Sequence, residues 1–220
     1  MTNSTDARPV RKPRGEYAKT RARKVAILDA ALEVFAQSGY RSGSIRDVAT
    51  LVGISEAGLL HHFPNKVKLL EAVLEHRDDQ ARTFVPMDAP DGAETLRGLV
   101  DLAAYNASVP GVVELYCTLS AEATSPDHPA HEYFIRRYDY TRSSIANAFR
   151  RLGEAGRLSV DVDPVRAAIS TIALMDGLQV QWLLDRDVVD MAQELADFFG
   201  SFVEEFHADV EPGADLAELS

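Results

Sequence analysis

Between Ser44 and Pro64 the chain starts and stops helices faster than a strand or a long helix would allow. Ser44 is a natural N-cap, and Asp47 stands three positions on, at the spacing of a capping box. Ile45, Val48, Ala49 and Val52 then repeat on one helical face, and Gly53 ends that helix. Ile54 packs in the turn, and Ser55 caps a helix over 56–62. Pro64 limits this helix, because the residue before a proline avoids the α region. Two short helices joined by a glycine turn form a helix-turn-helix pattern, which also occurs in many all-α proteins.

The flanking segments keep the same period. Leu28, Ala31, Leu32 and Phe35 follow helical spacing, with Ile27, Ala30 and Val34 widening the stripe, so a helix is expected from Thr20 to near Gly39. Asn65 caps a fourth helix running to about Thr83, with Leu70, Val73 and Leu74 inward. The stretch Val85–Gly92 reads as a loop. Helices are then expected over 93–108, 110–124, 128–155, 164–185 and 188–207, the fourth of them opened by Asp163 at the N-cap and Pro164 at the first position. No stretch sustains alternation with a period of two, so the fold class is all-α. The chain divides into a flexible basic arm (1–18), a three-helix head (19–66), a larger helical domain (67–207) and an acidic tail (208–220).

Charge separates these parts. The net charge is −11, yet residues 1–70 hold 12 Lys+Arg against 6 Asp+Glu, while the remainder holds 11 against 28. Eight basic residues lie between Arg8 and Lys24, with Glu16 the one acid among them. They lead into a helix N-terminus, where the macrodipole disfavours cations, so phosphate is a fitting partner. The one cysteine, Cys117, excludes an internal disulfide and fits a reducing compartment. A secretory signal, a membrane span and membrane partners are not expected, and the expected location is cytoplasmic. Nucleophile-elbow, P-loop, dinucleotide-binding and zinc-protease motifs are all missing. One enzyme reading remains, in which His128, His131, Asp127 and Cys117 hold a metal, provided that three or four ligands converge. The expectation is no enzyme, no metal and no cofactor.

The runs ILDAALEVFAQSGY and SIRDVATLVGISEAGLLHHFPNKVKLLEAVL resemble the DNA-binding domain of the TetR family of bacterial transcriptional regulators over residues 20–74, about a quarter of the chain. DGLQVQWLL and VVDMAQEL look like the C-terminal helices of one large subgroup of that family. The resemblance implies a homodimer that binds double-stranded palindromic operator DNA through residues 19–66. It further implies a C-terminal domain that binds an unidentified small-molecule effector and dimerises, most simply a repressor released by ligand. The family usually carries Thr and Tyr where this chain has Gly58 and Leu60. An alternative is therefore a dimeric small-molecule-binding protein whose DNA head is impaired.

Site residues follow from the motif. The N-terminal end of a recognition helix points into the major groove, which nominates Ser55, Glu56, Ala57, Gly58 and Leu60, with His61 and His62 near DNA. Glu56 suits a cytosine amino group or simply the helix dipole, and Ala57 suits a thymine methyl. Arg41, Ser44 and Lys66 are candidates for phosphate, and Lys19, Arg21, Arg23 and Lys24 for the minor groove or the backbone. Polar-tipped or aromatic residues in apolar helices nominate an effector pocket of Tyr105, Tyr116, Cys117, Phe134, Tyr138, Met175, Gln179 and Trp182. Excess apolar surface on the last two helices nominates a dimer interface of Val165, Ile169, Ile172, Val180, Leu195, Phe199, Phe202 and Phe206, with Gly177 permitting close approach.

Overall fold

The structure is a computed structural model that describes residues 14–206, with side chains from Lys19 onward. The segment before Arg14, His207 and the tail 208–220 lie outside the described residues. Nine α-helices are described: α1 Arg14–Ser42, α2 Ile45–Val52, α3 Glu56–His62, α4 Lys66–Ala81, α5 Gly92–Ser108, α6 Pro110–Glu122, α7 His131–Glu154, α8 Pro164–Leu184 and α9 Met191–Gly200. A 3-10 turn, Glu204–Phe206, follows, and no strand occurs among the described residues.

Several boundaries differ from the sequence expectation, and α9 ends at Gly200 rather than 207. Helix α1 begins at Arg14 rather than Thr20, so part of the expected flexible arm is helical. Residues 19–26 are all exposed, and a helix turn that touches no core leaves no apolar period to read. Helix α7 begins at His131 rather than 128, because residues 123–130 form turns in which His128 Nδ1 accepts from the Ala130 N–H at 3.2 Å. Helix α9 begins at Met191 rather than 188, where Asp190 caps it by accepting from the amides of Ala192 and Gln193. At Gly39 α1 breaks with φ 71° and ψ 160°, a conformation that glycine adopts without a Cβ penalty.

Two cores hold the chain. The first joins α1–α4 through Ile27, Phe35, Val48, Leu59, Leu69 and Val73, and is completed by Leu115, Tyr116 and Leu119 of α6 and Phe134 of α7. The second joins α5, α7, α8 and α9 through Leu96, Leu99, Ile145, Phe149, Leu195 and Phe199. Helix α8 is long and apolar enough, by length and composition, to cross a bilayer, where the sequence reading finds no such run. Its apolarity serves two sides: Ala167, Ala168, Thr171, Leu178 and Trp182 are buried, while Val165, Ile169, Val180 and Leu184 stay on the surface.

Helix α5 reaches this packing by close approach. A Cβ built on Gly98 would lie 2.5 Å from the Phe84 carbonyl oxygen. The backbone cannot yield as a side chain would, so Gly98→Ala is expected to cost about 1–3 kcal/mol and to lower Tm by roughly 3–10 °C. Gly153→Ala, whose Cβ meets only Leu158 at 3.4 Å, is the control and should leave Tm unchanged or raised. Thermal unfolding of both variants checks the contrast.

Candidate functional site

The head presents α3 on a rigid support. Ser44 and Asp47 close a reciprocal capping box: the Asp47 N–H donates to Ser44 Oγ at 3.1 Å, and the Ser44 N–H donates to Asp47 Oδ2 at 3.1 Å. The Ser44 hydroxyl also donates to Asp47 Oδ2 at 2.6 Å, and these bonds hold the Asp47 carboxyl below its ordinary range. Gly53 then turns with φ 72° and ψ 37°. Ser55 Oγ accepts from the Gly58 N–H at 3.1 Å, and a Cβ on Gly58 would stand 3.2 Å from that oxygen. Leu59 is fully buried, which turns Glu56, Ala57, Leu60 and His61 outward, with Gly58 and His62 half-buried.

Charge gathers around α3. Arg46 Nε lies 3.7 Å from Glu56 Oε2, an exposed pair spanning α2 and α3. Partial burial, then the charges of His61, Lys24 and Arg23, lower the His62 imidazole. The basic end of α1 therefore lies beside the exposed helix. Lys19, Arg21 and Arg23 are exposed there.

Arg41 and Lys66 have partners within the protein. Lys66 Nζ donates to the Arg41 carbonyl at 3.0 Å and sits 4.6 Å from the centre of the Tyr40 ring. It fastens the end of α1 to the start of α4, and burial lowers its pKa. Arg41 Nε lies 3.6 Å from Glu122 at the end of α6, and Tyr40 meets His128 edge-on at 6.0 Å. These contacts make the joint between the head and the larger domain.

A cavity of about 280 Å³ opens between α4, α5, α7 and α8, lined by Asp78, Arg82, Leu99, Leu102, Tyr133, Arg137, Tyr140 and Met175 among others. An inner recess of about 40 Å³ shares Leu102, Arg137, Thr141 and Met175 with it and reaches Arg77, Asn106, Tyr116, Tyr138, Asp176 and Gln179. Of the expected pocket residues, the structure brings together Tyr116, Tyr138, Met175 and Gln179. It does not bring in the others. Tyr105 stacks on Phe84 at 4.7 Å, Phe134 is buried against Tyr116 at 5.3 Å, and Trp182 is buried beneath Arg186. Cys117 Sγ donates to Gln179 Oε1 at 3.7 Å from outside the lining, and burial pushes its thiol up to about 11.

The polar side of this cavity went unseen in the sequence. Arg137 Nη1 and the Tyr133 hydroxyl, the latter at 2.7 Å, both donate to the Asp78 carboxylate. Arg137 Nε donates to the Tyr116 hydroxyl at 3.0 Å, and the Tyr138 hydroxyl donates to Asp176 Oδ2 at 2.7 Å. Burial raises the Asp176 carboxyl and both the Tyr133 and Tyr138 hydroxyls. One signal was available: Arg77 continues the buried stripe Leu70, Val73 and Leu74, where a charge is out of place.

The proposed metal ligands go to separate partners. Cys117 faces Gln179, His128 lies 3.5 Å from Glu122, and His131 Nδ1 bonds the Ala123 carbonyl. Among the described residues no three His, Cys, Asp or Glu side chains converge on a metal position.

The expected dimer face divides between the protomer's own core and its surface. Leu195, Phe199 and Phe206 are buried within the protomer, where Phe149 and the α5 leucines use up their surface, and Phe202 and Ile172 are half-buried against the same core. What remains outside is one α8 stripe: Val165, Ile169 and Val180, each 47–49% exposed, with Ala173 and Leu184. Nothing lies within 4 Å of a Cβ placed on Gly177 in that stripe.

Two family models match the chain: bacterial regulatory proteins of the tetR family over residues 27–73, and the C-terminal part of BetI-type transcriptional repressors over 106–207. The HTH-type transcriptional regulator TtgR of Pseudomonas putida is 28% identical over 222 residues, covering 96% of this chain and 97% of the relative. The regulator BetI of Pseudomonas aeruginosa is 31% identical over 183 residues, covering 79% and 87%. A transcriptional regulator fold from Saccharomonospora viridis, solved in complex with choline, superposes with a TM-score of 0.68 at 27% identity, over 84% of this chain and 98% of that one.

The Asp78 cluster yields a stability test. Asp78 and Arg137 are mostly buried, so Asp78→Ala leaves the Arg137 guanidinium without its carboxylate. Removing one member of such a pair costs about 3–5 kcal/mol. A midpoint in chemical denaturation equal to that of the unmodified chain would contradict this role.

Proposed function

This chain belongs to the TetR family of bacterial transcriptional regulators, as a ligand-responsive DNA-binding repressor, and we propose that it binds a palindromic operator as a homodimer and leaves it when a small molecule enters the cavity beside α4. The observation that carries this reading is the course of α4. Its first turns place Leu69, Leu70, Val73 and Leu74 in the core of the head. One turn later, Asp78, Ala81 and Arg82 line the cavity. A ligand that repositions the far end of α4 therefore moves the end that Lys66 ties to α1. Release requires only that the ligand bind one head position more tightly than the other.

On DNA, α3 enters the major groove by its N-terminal end. Glu56 and Ala57 then meet base edges, with Arg46 beside Glu56. The departures at Gly58 and Leu60 do not disable this end. Gly58 leaves room at the Ser55 cap, and Leu60 offers an exposed apolar side chain to a thymine methyl or a sugar. Lys19, Arg21, Arg23 and Lys24 serve the phosphates, with His61 and His62 close by, while both donors of Ser44, an expected phosphate contact, are spent on Asp47. Lys66 and Arg41 act at the joint and, through it, on the placement of those contacts. Its operator places the protein in the cytoplasm.

The second copy packs on the exposed α8 stripe, where Gly177 and Ala173 allow the two helices close together. Ile169→Glu with Val180→Glu would bury like charges against each other there. Sedimentation of this double variant should show a monomer, and its DNA affinity should fall by about a hundredfold or more because two linked heads become single ones. A variant that stays dimeric would remove the stripe from the interface. Fluorescence anisotropy with the DNA flanking its own gene, titrated with salt, tests operator binding: competitor-resistant binding with a steep negative salt slope is expected, and binding erased equally by any competitor would overturn it for that DNA.

A further inference from the structure

The inner recess holds a cation whose hydrogen-bonding capacity the protein does not use. Arg77 is 6% exposed, and its Nε and Nη1 have no protein acceptor. The guanidinium lies over the Tyr116 ring, 4.2 Å from its centre, which holds the plane in place and leaves the edge donors unmatched. The neighbouring acids hydrogen-bond to other donors. Asp78 accepts from Arg137 and Tyr133, and Asp176 accepts from Tyr138. Arg137, the second cation of the recess, faces the same Tyr116 ring at 5.1 Å. Burial disfavours the charged form of Arg77, and the neighbouring Arg137 adds to the effect. A buried guanidinium with unpaired N–H groups is costly to keep unless something of opposite charge binds there.

We propose that the effector carries an anionic oxygen group, a carboxylate above all, that docks on an unmatched N–H of the Arg77 guanidinium while its apolar body fills the outer chamber. This rests on the reading of the cavity as the effector site. The sizes agree. The recess, about 40 Å³, has room for one small polar group, since on the same measure a water molecule needs about 10–15 Å³. The chamber of about 280 Å³ beside it has walls of Leu99, Leu102 and Met175 for an apolar body. Arg presents its donors as a planar fork that matches a carboxylate, and such charge-assisted bonds are the strong ones. Asp176 opposes an anion, and its burial, which favours the neutral acid, reduces that opposition. Two guanidiniums in the recess disfavour a cationic group there.

The test uses the full chain without DNA and three probes of one shape: phenylacetate, phenylacetamide and phenethylamine, titrated by calorimetry. Phenylacetate should bind about tenfold or more tighter than the amide, and the amine should not bind. Arg77→Met should bring phenylacetate and the amide to within about twofold of each other, without lowering Tm, because the substitution removes an unmatched buried charge. If Arg77→Met does not fold, Arg77→Lys, which keeps a cation and loses the fork, should retain the preference in weakened form. Amide or amine binding as tight as phenylacetate in the unmodified chain, no binding of any probe, or a preference that survives Arg77→Met, would overturn the proposal. Release from DNA is measured apart. Phenylacetate that binds at Arg77 and leaves DNA bound upholds the site and defeats the coupling through α4. A neutral compound that releases DNA with no carboxylate preference does the reverse.

Discussion

Arg137 and Tyr133 both donate to the Asp78 carboxylate, and through that contact α7 grips α4 at the middle of the molecule. Much of the arrangement on either side depends on where α4 is held. Toward the head, its leucines complete the core under α1, α2 and α3. Toward the larger domain, its last turns form one wall of the cavity. Because the grip is a mostly buried ion pair rather than an apolar contact, its strength depends on geometry and on what other charges come near. A charged visitor in the recess acts on that grip directly, which an apolar wall would not allow.

The DNA-facing end is built on the opposite principle. The Ser44–Asp47 box, the left-handed Gly53 and the Ser55 cap satisfy the orphan amides at the ends of two short helices with their own side chains. Helices this short have little stability alone. Local capping and the burial of Val48, Ala49 and Leu59 hold them fixed. The head is thus stiff where it meets DNA, and its position is set at the joint, where Lys66, Arg41, Tyr40, Glu122 and His128 meet.

How much of this could be read beforehand followed from where the signal lies. The caps at Ser44, Ser55, Asn65 and Asp163 were legible, because N-cap chemistry is local. The all-helical class was legible from periodicity. The first turns of α1 were not, since residues 19–26 that lead from them are exposed and carry no apolar repeat. Leu195 and Phe199 were assigned to an interface because an apolar stripe does not say which surface covers it, and here α5 and α7 do. The cavity was half legible. Tyr116, Tyr138, Met175 and Gln179 stood out as polar-tipped or flexible residues in apolar helices. Asp78 and Arg137 did not, because their pairing joins positions about sixty residues apart and charged residues on a helix ordinarily face water, while Arg77 showed only by its place in the stripe of Leu70, Val73 and Leu74.

The two cores do not divide where the helix-turn-helix ends. Leu115, Tyr116 and Leu119 of α6 and Phe134 of α7 belong to the core that holds the recognition helix. The reading head is therefore not a portable module. A fragment cut after the fourth helix would expose the faces of α1 and α4 that α6 covers, and a head grafted from a relative would meet a surface shaped for another. Substitution on the outer face of α3, where Glu56, Ala57 and Leu60 bear no core contact, would disturb this packing less than exchange of the whole head.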